Sequence, residues 1–266
     1  MSKVFEVNGV TKSFGRGKNQ KIALSNIDLE VTANRTLGIV GESGSGKSTL
    51  ARCLVGLMQP NSGSVSYREN DMAHFTRHQF RDFRREVQMV FQDPYSSLNP
   101  RMRVRDIVAE GPLIFKLGSN KNEIREIAEA ALTQVGIKGD QFERYPRQFS
   151  GGQRQRISIA RALAVSPKVL ICDEPVSSLD VSIQAQILNL LKELNKSLNL
   201  TMIFISHDLG VIRYIAEDCV VMQHGQVVEQ GSTQALFENP QCEYTQILLN
   251  SVPIPDPKFR KQRSQS

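Results

Sequence analysis

Apolar and polar residues alternate at Phe5/Val7 and again at Ile27/Leu29/Val31, the period-two pattern of half-buried strands. Leu37-Gly38-Ile39-Val40 is a short apolar run that stops at Gly41. Behind it Leu50, Cys53, Leu54 and Leu57 recur at helical spacing, and Pro60-Asn61-Ser62-Gly63 reads as a turn. From about Leu98 to Pro146 the pattern becomes mostly helical. Ile124, Ile127, Ala128, Ala131, Leu132 and Val135 share one helix face, with Asn120 and Glu123 placed to cap its start. Val169–Cys172 and Met202–Ile205 are apolar throughout, as parallel strands buried on both faces are. Between them Ile183, Ile187, Leu190, Leu191, Leu194 and Leu198 mark an amphipathic helix. Val220 to Glu229 folds back around His224-Gly225 as a hairpin. From Asn239 onward the chain turns proline-rich, then basic and polar, which predicts an appendage with a loose end. No internal repeat interrupts this strand–helix alternation, the pattern of an α/β protein.

At 266 residues the chain can bury a large core as one large domain or two modest ones. Its 40% hydrophobic and 23% charged residues place it with soluble globular proteins. No stretch approaches the ~18 uninterrupted apolar residues of a membrane span. Met1 to Val10 is short and polar, with no apolar run before a cleavage site, so the chain is expected to stay in the cytoplasm. Any membrane would be met through a partner protein. Cys53, Cys172, Cys219 and Cys242 form no C-x-x-C pair, which argues against a zinc site and a disulfide framework. Cys53 and Cys172 lie in apolar runs and read as small core residues. Much of the excess behind the +6 net charge lies in Arg77 to Arg105 and Lys258 to Arg263, without the interleaved aromatics of RNA-binding patches. No direct nucleic-acid contact is expected.

The candidate chemistry begins at Gly41-Glu42-Ser43-Gly44-Ser45-Gly46-Lys47-Ser48, a complete phosphate-loop pattern with an apolar strand before it and a helix behind it. Its glycines let backbone N–H groups turn inward around phosphate oxygens, and the helix that follows presents its positive end to them. Lys47 can neutralise the β- and γ-phosphates of ATP, and the Ser48 hydroxyl can coordinate Mg²⁺. Thr49 is assigned to the same nucleotide-binding set. A glycine-rich turn that happens to precede a helix would need neither Lys47 nor Ser48. The run Val169 to Cys172 ends in Asp173-Glu174, where open α/β sheets place their ligands. Asp173 suits the magnesium shell, and Glu174 suits a general base or water-orienting group. An acidic pair after a strand is often only a loop or a helix cap, and the phosphate loop gives this one its meaning. Ser150-Gly151-Gly152-Gln153, just before the helical run Ile157 to Ala164, makes a second anion-binding helix N-terminus. Alone it would be an ordinary capped helix start.

Together these motifs resemble the nucleotide-binding subunit of an ATP-binding cassette (ABC) transporter, over a stretch from about Val4 to the tail. The resemblance identifies residues 41–48 as the Walker A loop and 169–174 as the Walker B strand. Gln92 in Phe91-Gln92-Asp93-Pro94 is then the Q-loop glutamine, and Phe149-Ser150-Gly151-Gly152-Gln153 the signature. Ser178-Leu179-Asp180 is the D-loop, and His207 in Ser206-His207-Asp208 the switch histidine. Phe14 stands where an aromatic ring stacks on adenine. The fold implied is an α/β P-loop NTPase of the ABC type, with an antiparallel β subdomain and an α-helical subdomain at about 95–165. Residues 1–238 would form the nucleotide-binding domain, and 239–266 a C-terminal extension of the oligopeptide/dipeptide transporter type. Glu174, His207 and Gln92 would be catalytic. Ser48, Gln92 and Asp173 would hold Mg²⁺, and Asp180 would join the nucleotide-binding residues. Phe14 replaces the commoner tyrosine and Phe149 the commoner leucine, and neither change removes a catalytic group.

The same resemblance implies a head-to-tail pair of cassettes, the Walker A loop of one being covered by Ser150 to Gln153 of the other. The second cassette would be a copy or a related chain. Gln92 through Arg101 would lead into a groove for the coupling helices of transmembrane permease subunits. The wording there and at Asn239-Pro240-Gln241, Tyr244-Thr245 and Asp256-Pro257 is similar to the branch importing dipeptides, oligopeptides and nickel. This implies an ATP-hydrolysing subunit of a peptide importer, peripheral on the cytoplasmic face of the inner membrane and linked indirectly to an extracytoplasmic substrate-binding protein. Nickel or another small solute is the alternative cargo. Some members of the branch carry a cysteine cluster for an iron–sulfur centre in the tail, where this chain has only Cys242. A soluble ABC ATPase acting on nucleic acid commonly has two cassettes or a long coiled-coil insertion, and neither is seen here. A regulatory cassette without turnover is disfavoured by Glu174 and His207.

Overall fold

A computed structural model describes residues 2–15, 17 and 20–251. Strands β1 (Lys3–Phe14) and β2 (Lys21–Thr32) pair antiparallel, with Phe5 opposite Val31 and Val7 opposite Leu29. The alternation that predicts them sends these four side chains to one buried face. Strand β3 (Thr36–Val40) runs into the glycine loop and helix α1 (Lys47–Leu54). Gly56 takes φ 70 just beyond that helix. Leu57, grouped with its apolar face by spacing, therefore falls outside the helix and is 59% exposed. Strands β4 (Ser62–Tyr67) and β5 (Asn70–Asp71) complete an antiparallel sheet in the order β2-β1-β4-β5. Helix α2 (Arg77–Glu86) starts at a capping box of Thr76 and Gln79 and buries Phe83, which packs edge-on against Phe5 and Tyr67.

After β6 (Val87–Val90) come α3 (Pro94–Ser97), α4 (Val104–Phe115), α5 (Lys121–Gln134) and α6 (Gly151–Leu163). The expected cap of α5 is present: Asn120 Oδ1 accepts from the amides of Asn122 and Glu123 at 2.9 and 3.1 Å. The remaining elements are β7 (Val169–Asp173), α7 (Val181–Leu198), β8 (Thr201–Ser206), α8 (Leu209–Ile215), β9 (Asp218–Gln223), β10 (Gln226–Ser232), α9 (Thr233–Glu238) and α10 (Glu243–Ser251). The hairpin expected around His224-Gly225 is the β9–β10 pair. Leu198, at the end of α7, is 42% exposed rather than part of the buried stripe.

The second sheet has the order β10-β9-β3-β8-β7-β6, with β9, β3, β8, β7 and β6 parallel. Its central strands are apolar throughout because they feed two cores. Val169, Ile171, Ile203 and Ile205 pack toward the antiparallel sheet and α1. Leu170, Cys172, Met202 and Phe204 pack toward the helical layer of α4, α5 and α6. No helix among the described residues is long and apolar enough to cross a membrane.

Candidate nucleotide site

The parallel sheet brings four loops to one edge. In the order β3-β8-β7-β6, Val40 lies opposite Ser206, Ile205 opposite Asp173 and Cys172 opposite Val90. Gly41, His207 and Glu174 follow these carboxyl ends directly and Gln92 comes one residue later, after Phe91, so groups spread over 166 positions of the chain meet at one cleft. The cleft has a volume of about 770 Å³. Phe14, Glu42, Ser43, Gly44, Gly46, Lys47, Ser48, Thr49, Gln92, Glu174 and His207 line it.

The loop conformation depends on glycine at two points. A Cβ at Gly41 would lie 2.1 Å from the Met222 carbonyl oxygen. Gly46 takes φ 104 at the start of α1, and a Cβ there would lie 2.5 Å from the carbonyl oxygen of Ala23. Lys47 is almost fully buried, and its Nζ donates to the carbonyls of Gly41 at 2.7 Å and Glu42 at 2.8 Å. Burial lowers its pKa against the opposing pull of Glu174 and Asp173. The ammonium thus rests on the loop's own carbonyls. Ser45 is also buried, although its backbone carbonyl accepts from the amide of Gly225 on the β9–β10 hairpin.

Ser48 Oγ donates to Asp173 Oδ1 at 2.9 Å. Burial raises the Asp173 carboxyl above the ordinary carboxylate range, and the Ser48 bond works in the other direction. Next to it, Glu174 takes φ 46, a left-handed conformation that costs a non-glycine residue on the order of 1 kcal/mol or more. The bend is held by the Glu174 amide donating to the Ile205 carbonyl at 3.1 Å. It turns the carboxylate into the cleft, where one oxygen, Oε2, lies 3.1 Å from Gln92 Nε2 and 3.2 Å from His207 Nδ1. The Glu174 side chain keeps 14% exposure, against 55% for His207. At the far end of the cleft Phe14 is 43% exposed, with Lys12 Nζ 5.7 Å from its ring centre. An exposed ring beside a cleft is free to stack on a planar ligand.

The signature residues and Asp180 lie elsewhere. Ser150 caps α6: its Oγ accepts from the Gln153 amide at 3.3 Å, while Gln153 Oε1 accepts from the Ser150 amide at 3.0 Å. Gly151 faces Leu179, and a Cβ on Gly152 would lie 2.4 Å from Ile183, so this helix start packs on the segment that carries Asp180. Asp180 is the N-cap residue of α7 without a side-chain cap bond, and Val181 beside it is 82% exposed. Among the described residues, none of Ser150, Gly151, Gly152, Gln153 or Asp180 lines the cleft.

Sequence reasoning missed Lys21, Ile22 and Ala23 of β2 and Leu248 of α10, which do line it. It also missed Tyr244, whose hydroxyl accepts from the Glu42 amide at 3.2 Å. The four-residue spacing of Tyr244 and Leu248 signals a shared helix face. Nothing near them in the sequence says where that face docks.

The family profile described as ABC transporter matches residues 24–177, and the profile for the oligopeptide/dipeptide transporter C-terminal region matches 228–266. The oligopeptide transport ATP-binding protein OppF of Bacillus subtilis is 45% identical over 262 residues, covering 98% of this chain and 86% of its own. The di/tripeptide transport ATP-binding protein DppF of Pseudomonas aeruginosa is 46% identical over 258 residues, 96% of this chain and 80% of its own. Among solved structures, the ATP-binding cassette MJ0796, a dimer in a post-hydrolysis state bound to ADP and Pi, superposes with a TM-score of 0.78 at 29% identity. It covers 86% of this chain and 98% of its own. The fold is that of an ABC-type P-loop NTPase, and the chain belongs to the ABC transporter family.

Proposed function

We propose that this chain is the ATP-hydrolysing subunit of a membrane importer of di- and oligopeptides. The observation that carries the chemistry is the meeting of Gln92 and His207 at one oxygen of Glu174, beside Lys47 and the Ser48–Asp173 pair. The amides of the loop and the amino end of α1 receive the phosphates of ATP. Lys47 leaves the carbonyls of Gly41 and Glu42 for phosphate oxygens, and Phe14 stacks on the adenine ring. A water between Glu174 and the terminal phosphate gives its proton to the Glu174 carboxylate as its oxygen attacks the γ-phosphorus; the bond from that phosphorus to the β,γ-bridging oxygen breaks, and ADP and inorganic phosphate leave. Gln92 and His207, already bonded to that carboxylate, fix its orientation and that of the water. Ser48 and Asp173 are the hydroxyl and carboxylate oxygens that Mg²⁺ prefers, with Gln92 at the edge, and the ion would neutralise phosphate charge there.

The second half of the site comes from another cassette. The amino end of α6 carries the helix dipole and an exposed Ser150, yet lies away from its own cleft. Presented by a neighbour, it faces the bound phosphates from the opposite side, so that ATP joins the two chains and hydrolysis releases them. The exposed Val181 next to Asp180 fits such a contact. Relatives named for oligopeptide and di/tripeptide transport, alike over nearly the whole chain, support peptides as cargo. The chain would sit peripherally on the cytoplasmic face of the membrane, held by permease subunits and supplied by an extracytoplasmic binding protein.

Peptide uptake in cells deleted for the chain tests this reading. The wild-type chain restores uptake and brings membrane subunits with it when purified in detergent, and Glu174→Gln brings the same subunits without restoring uptake. Recovery of nucleic acid in place of membrane subunits would contradict it.

A further inference from the structure

Helix α10 reaches the phosphate loop from the far end of the chain. Tyr244 is 8% exposed, and its hydroxyl accepts from the Glu42 amide at 3.2 Å. Leu248, one helical turn later, lines the cleft together with Phe14 and Lys47. The entry to this helix is gripped from behind. The Glu229 carboxylate on β10 accepts from the amides of Gln241 at 2.8 Å and Cys242 at 3.1 Å. Thr245 is 1% exposed, and Leu249 packs on the main core, so the helix is seated rather than draped over the surface.

The strand that carries Glu229 touches the loop as well. At the turn before β10, Gly225 donates to the Ser45 carbonyl at 3.0 Å. The loop is therefore clasped twice, at Glu42 by α10 and at Ser45 by the hairpin, and Glu229 ties the two clasps together. Both clasps act next to Lys47, whose Nζ rests on the Glu42 carbonyl. A loop that must hold several amides pointing at one anion gains affinity when its conformation is fixed beforehand.

We propose that α10 is a working part of the nucleotide site: Tyr244 is a positioning residue for the phosphate loop, and Leu248 is an apolar wall against the bound nucleotide. This rests on the assignment of the cleft to ATP. The C-terminal segment then sets nucleotide affinity, in addition to covering the core.

Calorimetric titration of the full chain with ADP, which binds without turnover, tests the proposal, alongside KM and kcat for ATP. Tyr244→Phe keeps the buried ring and removes only the hydroxyl. It raises the ADP Kd and the ATP KM about three- to tenfold, as expected for one neutral hydrogen bond, with the change in KM rather than kcat. Leu248→Ala also weakens ADP binding, Leu248→Met restores it, and Ile247→Ala, on the exposed side of the same helix, leaves it unchanged. In Tyr244→Phe the thermal midpoint without nucleotide falls by no more than about 2–4 °C, the share of one hydrogen bond, so that the affinity loss reports loop positioning and not unfolding. Wild-type affinity in both Tyr244→Phe and Leu248→Ala would overturn the proposal while leaving the cleft's assignment intact. A wild-type chain that fails to bind ADP would overturn both.

Discussion

The cleft edge of the parallel sheet and the amino end of α6 are the two regions proposed to meet phosphate, and they differ in what each lacks. In the cleft, groups from four separate loops converge, and their resting partners are one another: Lys47 on loop carbonyls, Ser48 on Asp173, Gln92 and His207 on Glu174. At α6 the donors come from one short stretch, and Ser150 and Gln153 satisfy each other in a capping box. The first has the catalytic groups but no signature helix start among its described lining residues. The second has a wall and no chemistry. Each is incomplete in the way the other can supply, which is why the function is assigned to a pair of chains.

Four changes separate the two regions, in decreasing order of effect. Glu174→Gln removes the proton acceptor and keeps the shape, so ATPase of the assembled transporter falls by on the order of 10²-fold or more while ATP stays bound, as single-turnover and binding assays would show. Lys47→Ala weakens ADP binding to the isolated chain by at least about tenfold in a calorimetric titration, because a buried cation meant for phosphate is gone. Ser150→Arg places bulk and charge at the α6 amino end. ATPase of the assembled transporter falls by about tenfold or more, while the ADP affinity of the isolated chain stays within about twofold, since that residue is not in its own cleft. Equal damage to both readouts would erase the distinction between the regions.

The smallest effect is on stability. Burial raises the Asp173 carboxyl, so the folded chain disfavours its ionised form. That cost is absent below the ordinary carboxylate pKa and sets in as pH rises through the raised folded value. Asp173→Asn removes the cost and can still accept from Ser48. At neutral pH without nucleotide its thermal midpoint rises, as a melting curve would show.

Much of the sheet is legible in the sequence because its central strands are buried on both faces. Val169 to Cys172 and Met202 to Ile205 must be apolar throughout to serve two cores. The cap of α5 is equally plain, since Asn120 and Glu123 act within one turn. Helix α2 is not legible, because its ten residues bury only Phe83, whose ring meets Phe5 of β1 and Tyr67 of β4 as well as the nearby Phe75 and Phe80. Leu57 misleads by spacing, since the break at Gly56 comes from a left-handed backbone that periodicity does not register.

The site divides in the same way. Residues 41–48 announce themselves because one local stretch makes the whole anion cradle. Gln92 and His207, by contrast, each follow a strand as any surface residue might. They matter because β6 and β8 flank β7, a neighbour relation that no local pattern contains. Tyr244 is the extreme case: its contact with Glu42 spans 202 positions and depends on how the tail folds back.

The central claim is that the nucleotide site is shared between two chains. A structure of the Glu174→Gln transporter, purified through this chain in the presence of ATP, tests it most directly. The account predicts ATP on Lys47 and Ser48 of this chain, covered by the signature helix start of a second cassette, with this chain's own Ser150 covering the other nucleotide. ATP enclosed by this chain alone, with the amino end of α6 facing solvent, would contradict it.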